Sequence, residues 1–115
     1  MTFDIEIVLR DRNEAVTERV TQPGEPADWT ERDVEAVLKE ILLSIDRAKH
    51  PGDVERHVAL RGFSWIVEPA DGGVVIAIEI PTGAAVAGPF AIPQANLDRL
   101  IDRVLSASRP KQVVH

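Results

Sequence analysis

Residues 63–80 have a pattern that predicts a β-hairpin with a defined register. The turn sequence Ala70-Asp71-Gly72-Gly73 separates two segments in which apolar and polar residues alternate. A two-residue loop at Asp71-Gly72 suits a type I′ turn, in which both central residues have positive φ. A three-residue loop would set Trp65 opposite Glu79, so the pattern rejects it. In the favoured register six large apolar side chains share one face: Phe63, Trp65, Val67, Ile76, Ile78 and Ile80.

The second face of this hairpin is only partly polar. If helices cover the face that carries Trp65, the second face stays open. A contiguous apolar group on an open face suggests a protein partner, although a modest apolar patch on a free sheet is the other interpretation. The predicted partner surface consists of Ser64, Ile66, Val75, Ala77 and Glu79.

Further strands are predicted on both sides of the hairpin. Alternation over residues 3–9 predicts a half-buried strand, and residues 15–21 predict an edge strand, with a short helix as the alternative. Residues 58–68 predict a strand with a bulge at Arg61-Gly62. The sequence Ile80-Pro81-Thr82-Gly83 predicts a three-residue hairpin loop with a left-handed glycine. A third strand follows over residues 84–90, where Pro89 indicates a sheet edge.

Two amphipathic helices complete the fold. Thr30 and Asp33 predict a capping box at the start of the first helix, which ends before Pro51. The second helix begins at Pro93. The predicted order is ββ-α-βββ-α, an α+β fold in which both helices pack on one face of an antiparallel sheet of about five strands. We expect a single domain over residues 1–108 and a flexible tail over residues 109–115.

Composition excludes several classes of function. The chain of 115 residues has 13 basic and 19 acidic residues, a net charge of −6, which opposes binding to nucleic acid. It has no cysteine, and therefore no disulfide or thiolate metal site. Residues 74–92 are apolar but are interrupted by prolines and glycines, so no membrane span is predicted. The first residues do not resemble a signal peptide, and a cytoplasmic location is expected.

Few residues are candidates for chemistry. His50, Asp53 and His57 have metal-ligand side chains, but their spacing matches no metal signature and a turn after the helix is the favoured interpretation. Glu79 interrupts an aliphatic strand and would act as a general acid or base only if buried; an outward-facing glutamate is favoured. Residues 83–88 contain glycine without the lysine of a phosphate-binding loop. No catalytic residue, cofactor or metal site is assigned.

The sequence therefore favours a small non-catalytic interaction or regulatory domain, which acts through a protein partner or as a homodimer. The alternative is a small enzyme or small-ligand-binding protein with a pocket between sheet and helices that uses Glu79 or His57. No substrate or specific ligand is indicated.

Overall fold

The computed structural model describes residues 1–12, 14–53 and 58–108 and confirms the α+β fold class. Its strands are β1 (Thr2–Leu9), β2 (Ala15–Thr21), β3 (Ser64–Ala70), β4 (Gly73–Ile80) and β5 (Gly83–Phe90). Its helices are α1 (Glu31–Lys49) and α2 (Gln94–Ser108), and a short 3₁₀ turn over Pro26–Asp28 precedes α1. Residues 15–21 are thus a strand, and the helical alternative is wrong.

The five strands form one antiparallel sheet in the order β2-β1-β5-β4-β3. The first and last strands of the chain therefore lie next to each other at its centre, and β2 and β3 form its edges. Both helices pack on the same face, α1 over the β1 half and α2 against β3. Side chains from β1, β4, β5 and both helices meet there in one apolar core, centred on Ile5, Ile41, Ile76, Phe90 and Ile101.

The capping box predicted for α1 is present. Asp33 Oδ2 accepts a hydrogen bond from the Thr30 backbone N–H at 2.8 Å, and the Asp33 N–H donates to Thr30 Oγ1 at 3.4 Å. At the other end the His50 N–H donates to the Asp46 carbonyl at 2.8 Å. These contacts satisfy backbone groups that a helix end leaves without an intrahelical partner.

The register of the central hairpin is confirmed, whereas its predicted turn type is wrong. Val67 pairs with Ile76 and Ala70 with Gly73, as a two-residue loop requires. Among the described residues, however, only glycines have a positive φ, so Asp71 does not meet the requirement of a type I′ turn. Gly72 and Gly73 have φ of 88° and 142°. Glycine adopts positive φ without the steric cost that an aspartate would incur.

The loop between β4 and β5, in contrast, is shorter than predicted. Ile80 pairs directly with Gly83, which leaves a two-residue loop, and Gly83 does not have the predicted left-handed φ. A Cβ at Gly83 would lie 2.7 Å from the carbonyl oxygen of Val8. This glycine is therefore needed because β1 passes close to it. The strand that follows is central, and Pro89 lies beyond its last pair with β1, at Gly88.

The strand before the hairpin begins later than predicted. Residues 58–63 are not in a strand, β3 begins at Ser64, and Gly62 has a φ of 77° where a bulge was expected. Val67 is buried, as predicted, but Trp65 and Phe63 are only partly buried. Trp65 belongs to the edge strand β3 and Phe63 precedes it. The helices cover the sheet less completely at this edge than at its centre.

An ionic cluster joins α1 to the edge strand β2. Arg47 Nη2 donates to Glu18 Oε1 of β2, to Glu40 Oε1 at 2.7 Å and to Ser44 Oγ at 3.1 Å. The fully buried Ser44 hydroxyl donates to the Glu40 carbonyl at 2.8 Å. The hydrogen bond to Glu18 is the main cause that raises the pKa of Arg47 above its ordinary value, against an opposing effect of burial. The guanidinium therefore stays charged and holds β2 against the helix.

Arg47→Gln is expected to lower the free energy of unfolding by about 1–3 kcal/mol, because two carboxylates lose a shared charged donor. Lys39→Gln is the matched control, since Lys39 lies on the same helix in an exposed pair with Glu35 at 2.9 Å. An exposed pair of this kind contributes about 0.5 kcal/mol or less. Urea unfolding of both variants measures the difference, and equal losses would show that the cluster does not anchor β2.

The predicted tail, residues 109–115, lies outside the described residues, as does His57. Within the described ranges, neither helix is long and apolar enough to cross a membrane.

Candidate functional site

The candidate site is the face of the sheet opposite the helices, called here the open face. Strand alternation decides which side chains lie on it: in β1 the buried Ile5 and Ile7 point to the helices, so Glu6 and Val8 point away. The same alternation places residues of β3, β4 and β5 on the open face. They are Ser64, Ile66, Glu68, Val75, Ala77, Glu79, Ala84 and Val86.

An apolar strip crosses the open face from the central strand β1 to the edge strand β3. It consists of Val8, Ala84, Val86, Ala77 and Ile66. Val86 pairs with Ala77 and Ala77 with Ile66 in one row across three strands, and Val8 pairs with Ala84 in the adjacent row. The side chains at 8, 66 and 86 are 47%, 52% and 44% exposed. Cross-strand and diagonal neighbours lie within side-chain reach, so the strip is contiguous.

The residues of the predicted partner surface lie on this face. Ser64 and Glu79 are exposed and pair with each other across β3 and β4, and Ile66 and Ala77 form the end of the apolar strip. Val75 is half-buried, where the register between β4 and β5 shifts. A Cβ at Gly88 would lie 3.2 Å from Val75 Cγ1, so β5 passes close to this side chain.

Val8 and Val86 were not among the predicted surface residues. In each strand the alternation of buried and exposed positions places this valine on the exposed side, so the sequence pattern could have identified both residues. Their contribution depends on the pairing of β1 with β5, which brings Val8 beside Ala84 although 76 positions separate them. That pairing is not encoded in any local pattern.

Charged pairs frame the apolar strip. Arg19 Nε donates to Asp4 Oδ1 at 3.0 Å on the β2 side, and this hydrogen bond raises the pKa of the guanidinium. Arg10 Nη2 lies 3.9 Å from Glu79 Oε1 at the other end of the strands. A shallow depression of about 270 Å³ on β3, β4 and β5 lies against Ser64, Ile66, Ala77, Glu79, Ala84 and Val86. An apolar centre with a polar frame is the usual composition of a protein interface.

The candidates for catalysis do not converge in the structure. Glu79 is exposed on the open face, so it does not line a pocket between the sheet and the helices as the enzyme alternative requires. His57, the other residue of that alternative, lies outside the described residues. Ser64 pairs with Glu79 across the hairpin. A serine nucleophile is usually activated by histidine, and Glu79 is not such a base.

Two of the three metal candidates, His50 and Asp53, lie at the end of α1 and in the turn after it. His50 is the C-cap residue, and the Asp53 N–H donates to its carbonyl at 3.2 Å. This is the turn that the sequence favoured over a metal site. The described part of the chain contains no group of three potential metal ligands, and His57, the third candidate, is not part of it.

No protein-family model matches the sequence, and neither a curated protein nor a solved structure is significantly similar to it.

Proposed function

We propose that this protein is a non-catalytic interaction domain that forms a homodimer through the open face of its sheet. The observation that carries the proposal is the position of its exposed apolar side chains. Four large ones are exposed among the described residues, and three of them, Val8, Ile66 and Val86, lie in the apolar strip. Such grouping exceeds the scattered apolar exposure that is normal for protein surfaces.

The size of the face fits a dimer of two such sheets. Five strands about 4.8 Å apart, each about eight residues long at about 3.3 Å per residue, cover roughly 24 by 26 Å. Two such faces bury roughly 1,200 Å² in total, at the lower limit of standard protein interfaces. A second copy of this chain supplies a flat face of matching size, which a small ligand does not.

The charges on the face are compatible with self-association. Each subunit has a net charge of −6, which opposes close approach. The open face, however, contains both signs: Asp4 pairs with Arg19 and Glu79 with Arg10, while Glu6 beside Val86 and Glu68 add two carboxylates. A two-fold axis brings residue i of one subunit to residue j of the other, so opposite charges of this frame can face each other.

The strands β3 and β5 are less suitable for association through their edges. β5, for which Pro89 indicated a sheet edge, is central and paired on both sides. The edge strand β3 contains Pro69, which has no N–H to donate to an added strand. Association through the face needs no such backbone donors.

The cytoplasmic location expected from the sequence stays a prediction.

Light scattering on the wild type and two valine variants tests the proposal. At about 100 μM we expect a wild-type dimer, since a standard-size interface usually has a far lower dissociation constant. Val86→Lys is expected to give a folded monomer, because each subunit would have to bury an added charge within the apolar strip. Val16→Lys is the matched control: Val16 is similarly exposed, at 42%, but pairs with Ile7 and so lies on the helix side of the sheet.

The control variant is expected to remain a dimer, and circular dichroism checks that both variants keep their helix content. A monomeric wild type at this concentration would contradict the proposal. So would a dimer that persists in both Val86→Lys and Ala77→Lys, or one that dissociates in Val16→Lys as it does in Val86→Lys.

A further inference from the structure

A cavity of about 370 Å³ opens at one end of the sheet, away from the apolar strip. Three segments that are distant in the sequence meet around it: the end of β1, the C-terminal end of α1 and the loop between β4 and β5. Their lining residues include Leu9, Arg10, Arg12, Lys49, His50 and Thr82. A volume of this size falls in the usual range of small-molecule sites.

The charge of this cavity is opposite to that of the chain. Arg10, Arg12 and Lys49 contribute three cations, and Asp11 is the one carboxylate among the lining residues. Glu79, outside the lining, pairs with Arg10 at 3.9 Å, so the three cations exceed these two carboxylates by one charge. Like charges held together repel each other, and a concave wall of one sign concentrates the electric field in the cavity. A net positive cleft on a protein of net charge −6 therefore attracts an anion.

Hydrogen bonds fix the backbone of Arg10 and the guanidinium of Arg12. The Arg10 N–H donates to the Thr82 carbonyl at 3.0 Å, which ties the end of β1 to the loop. Arg12 Nη1 donates to the Ala48 carbonyl at 3.1 Å, which ties the guanidinium to the end of α1. A guanidinium has five N–H donors in a rigid fork, and this is the single side-chain bond of Arg12 to the described residues. Its remaining donors suit an oxyanion.

We propose that this cavity binds a phosphate monoester. A phosphate group offers three terminal oxygens, so it can accept hydrogen bonds from Arg12 and Lys49 together, whereas a carboxylate has only two oxygens. Arg10, Arg12 and Lys49 bind the phosphate oxygens, and the organic part of the ligand packs on Leu9 and Pro81, which also line the cavity. This site lies beyond the proposed dimer function; it shares Arg10 with the frame of the apolar strip, whereas Arg12 and Lys49 lie outside that frame.

The competing interpretation is that these cations serve only the helix. Cations near a helix C-terminus interact favourably with its dipole, and Lys49 and Arg12 are both close to the end of α1. That role requires no ligand. The two interpretations differ in whether phosphate binds saturably and at these residues.

The test is a titration of the full chain with inorganic phosphate, monitored through amide chemical shifts in NMR. Phosphate replaces sodium chloride during the titration, so that the ionic strength stays constant. We expect saturable shifts confined to residues 9–12, 48–50 and 81–83. Equal shifts on adding sodium chloride alone, or no saturable shift, would overturn the proposal and leave the helix as the sole reason for the cations.

Three glutamine variants locate the site. Arg12→Gln and Lys49→Gln are each expected to weaken phosphate binding about tenfold or more, the effect of losing one charged hydrogen bond. Lys49→Gln leaves the bond between Arg12 and Ala48 intact, so it remains informative if Arg12→Gln affects folding. Arg103→Gln is the control, since Arg103 lies on α2 and pairs at 3.8 Å with Glu31 at the opposite end of α1. Equal weakening in this control would assign binding to overall charge and overturn the site.

Discussion

Phe90→Ala is expected to lower the free energy of unfolding by about 3–5 kcal/mol, the range for truncating a buried aromatic side chain. Phe90 is fully buried at the end of β5. Its ring packs edge-on against Phe3 of β1, with centroids 4.9 Å apart, and against Trp29 before α1, at 5.0 Å. Removing the ring opens a cavity in the core, and the two remaining aromatic rings cannot fill it without moving β1 and the segment before α1.

Phe63→Ala is the control for this prediction. Phe63 also contacts the core, but it lies before β3 and is only partly buried. Its truncation is expected to cost roughly 1–2 kcal/mol, because part of the ring is already in water. Urea unfolding followed by circular dichroism measures both variants. A loss for Phe63→Ala as large as that for Phe90→Ala would show that the core is centred nearer to β3 than the structure indicates.

Gly73→Ala is the second substitution with a large expected effect. Gly73 begins β4 with a φ of 142°, and a Cβ there would lie 2.0 Å from the Phe90 carbonyl oxygen and 2.6 Å from its carbon. These are backbone atoms, which cannot rotate away as a side chain can. The strain of the positive φ and this overlap together are expected to lower the free energy of unfolding by about 3 kcal/mol or more. We expect the turn between β3 and β4 to move away from β5.

Gly24→Ala separates the two contributions to that loss. Gly24 also has a positive φ, 82°, but a Cβ there would have no atom within 4 Å. Only the conformational strain remains, and the expected cost is about 1 kcal/mol. Denaturation curves of the two variants give the difference. If Gly73→Ala were no more destabilising than Gly24→Ala, the close approach of Phe90 to Gly73 would be incorrect.

Features determined by neighbouring residues could be predicted from the sequence. The register that pairs Val67 with Ile76 follows from alternation on the two sides of one turn, and the Thr30–Asp33 capping box involves residues three positions apart. The open face of the hairpin follows from the same alternation, so Ile66 and Ala77 were assigned to it correctly. In each case the cause lies within about one turn or one hairpin of the residue.

Features determined by distant strands could not be predicted in this way. The pattern around Gly83 is compatible with a three-residue loop, but the close passage of Val8 makes it the first residue of β5 instead. Val8 and Val86 join the apolar strip for the same reason. The cationic cavity combines Arg12 with Lys49, which only the packing of α1 beside the end of β1 brings together.

The strand order has a consequence for how the chain acquires its structure. β3, β4 and β5 are consecutive and joined by two-residue loops, so this three-stranded meander can form from local contacts soon after it is synthesised. The hairpin of β1 and β2 is made first but has no partner until β5 emerges, because the pair from Leu9 to Gly83 closes a loop of more than seventy residues. Closing such a loop costs chain entropy before its contacts form. Docking of β1 against β5 is therefore the step that completes the sheet, and it also creates the continuous open face.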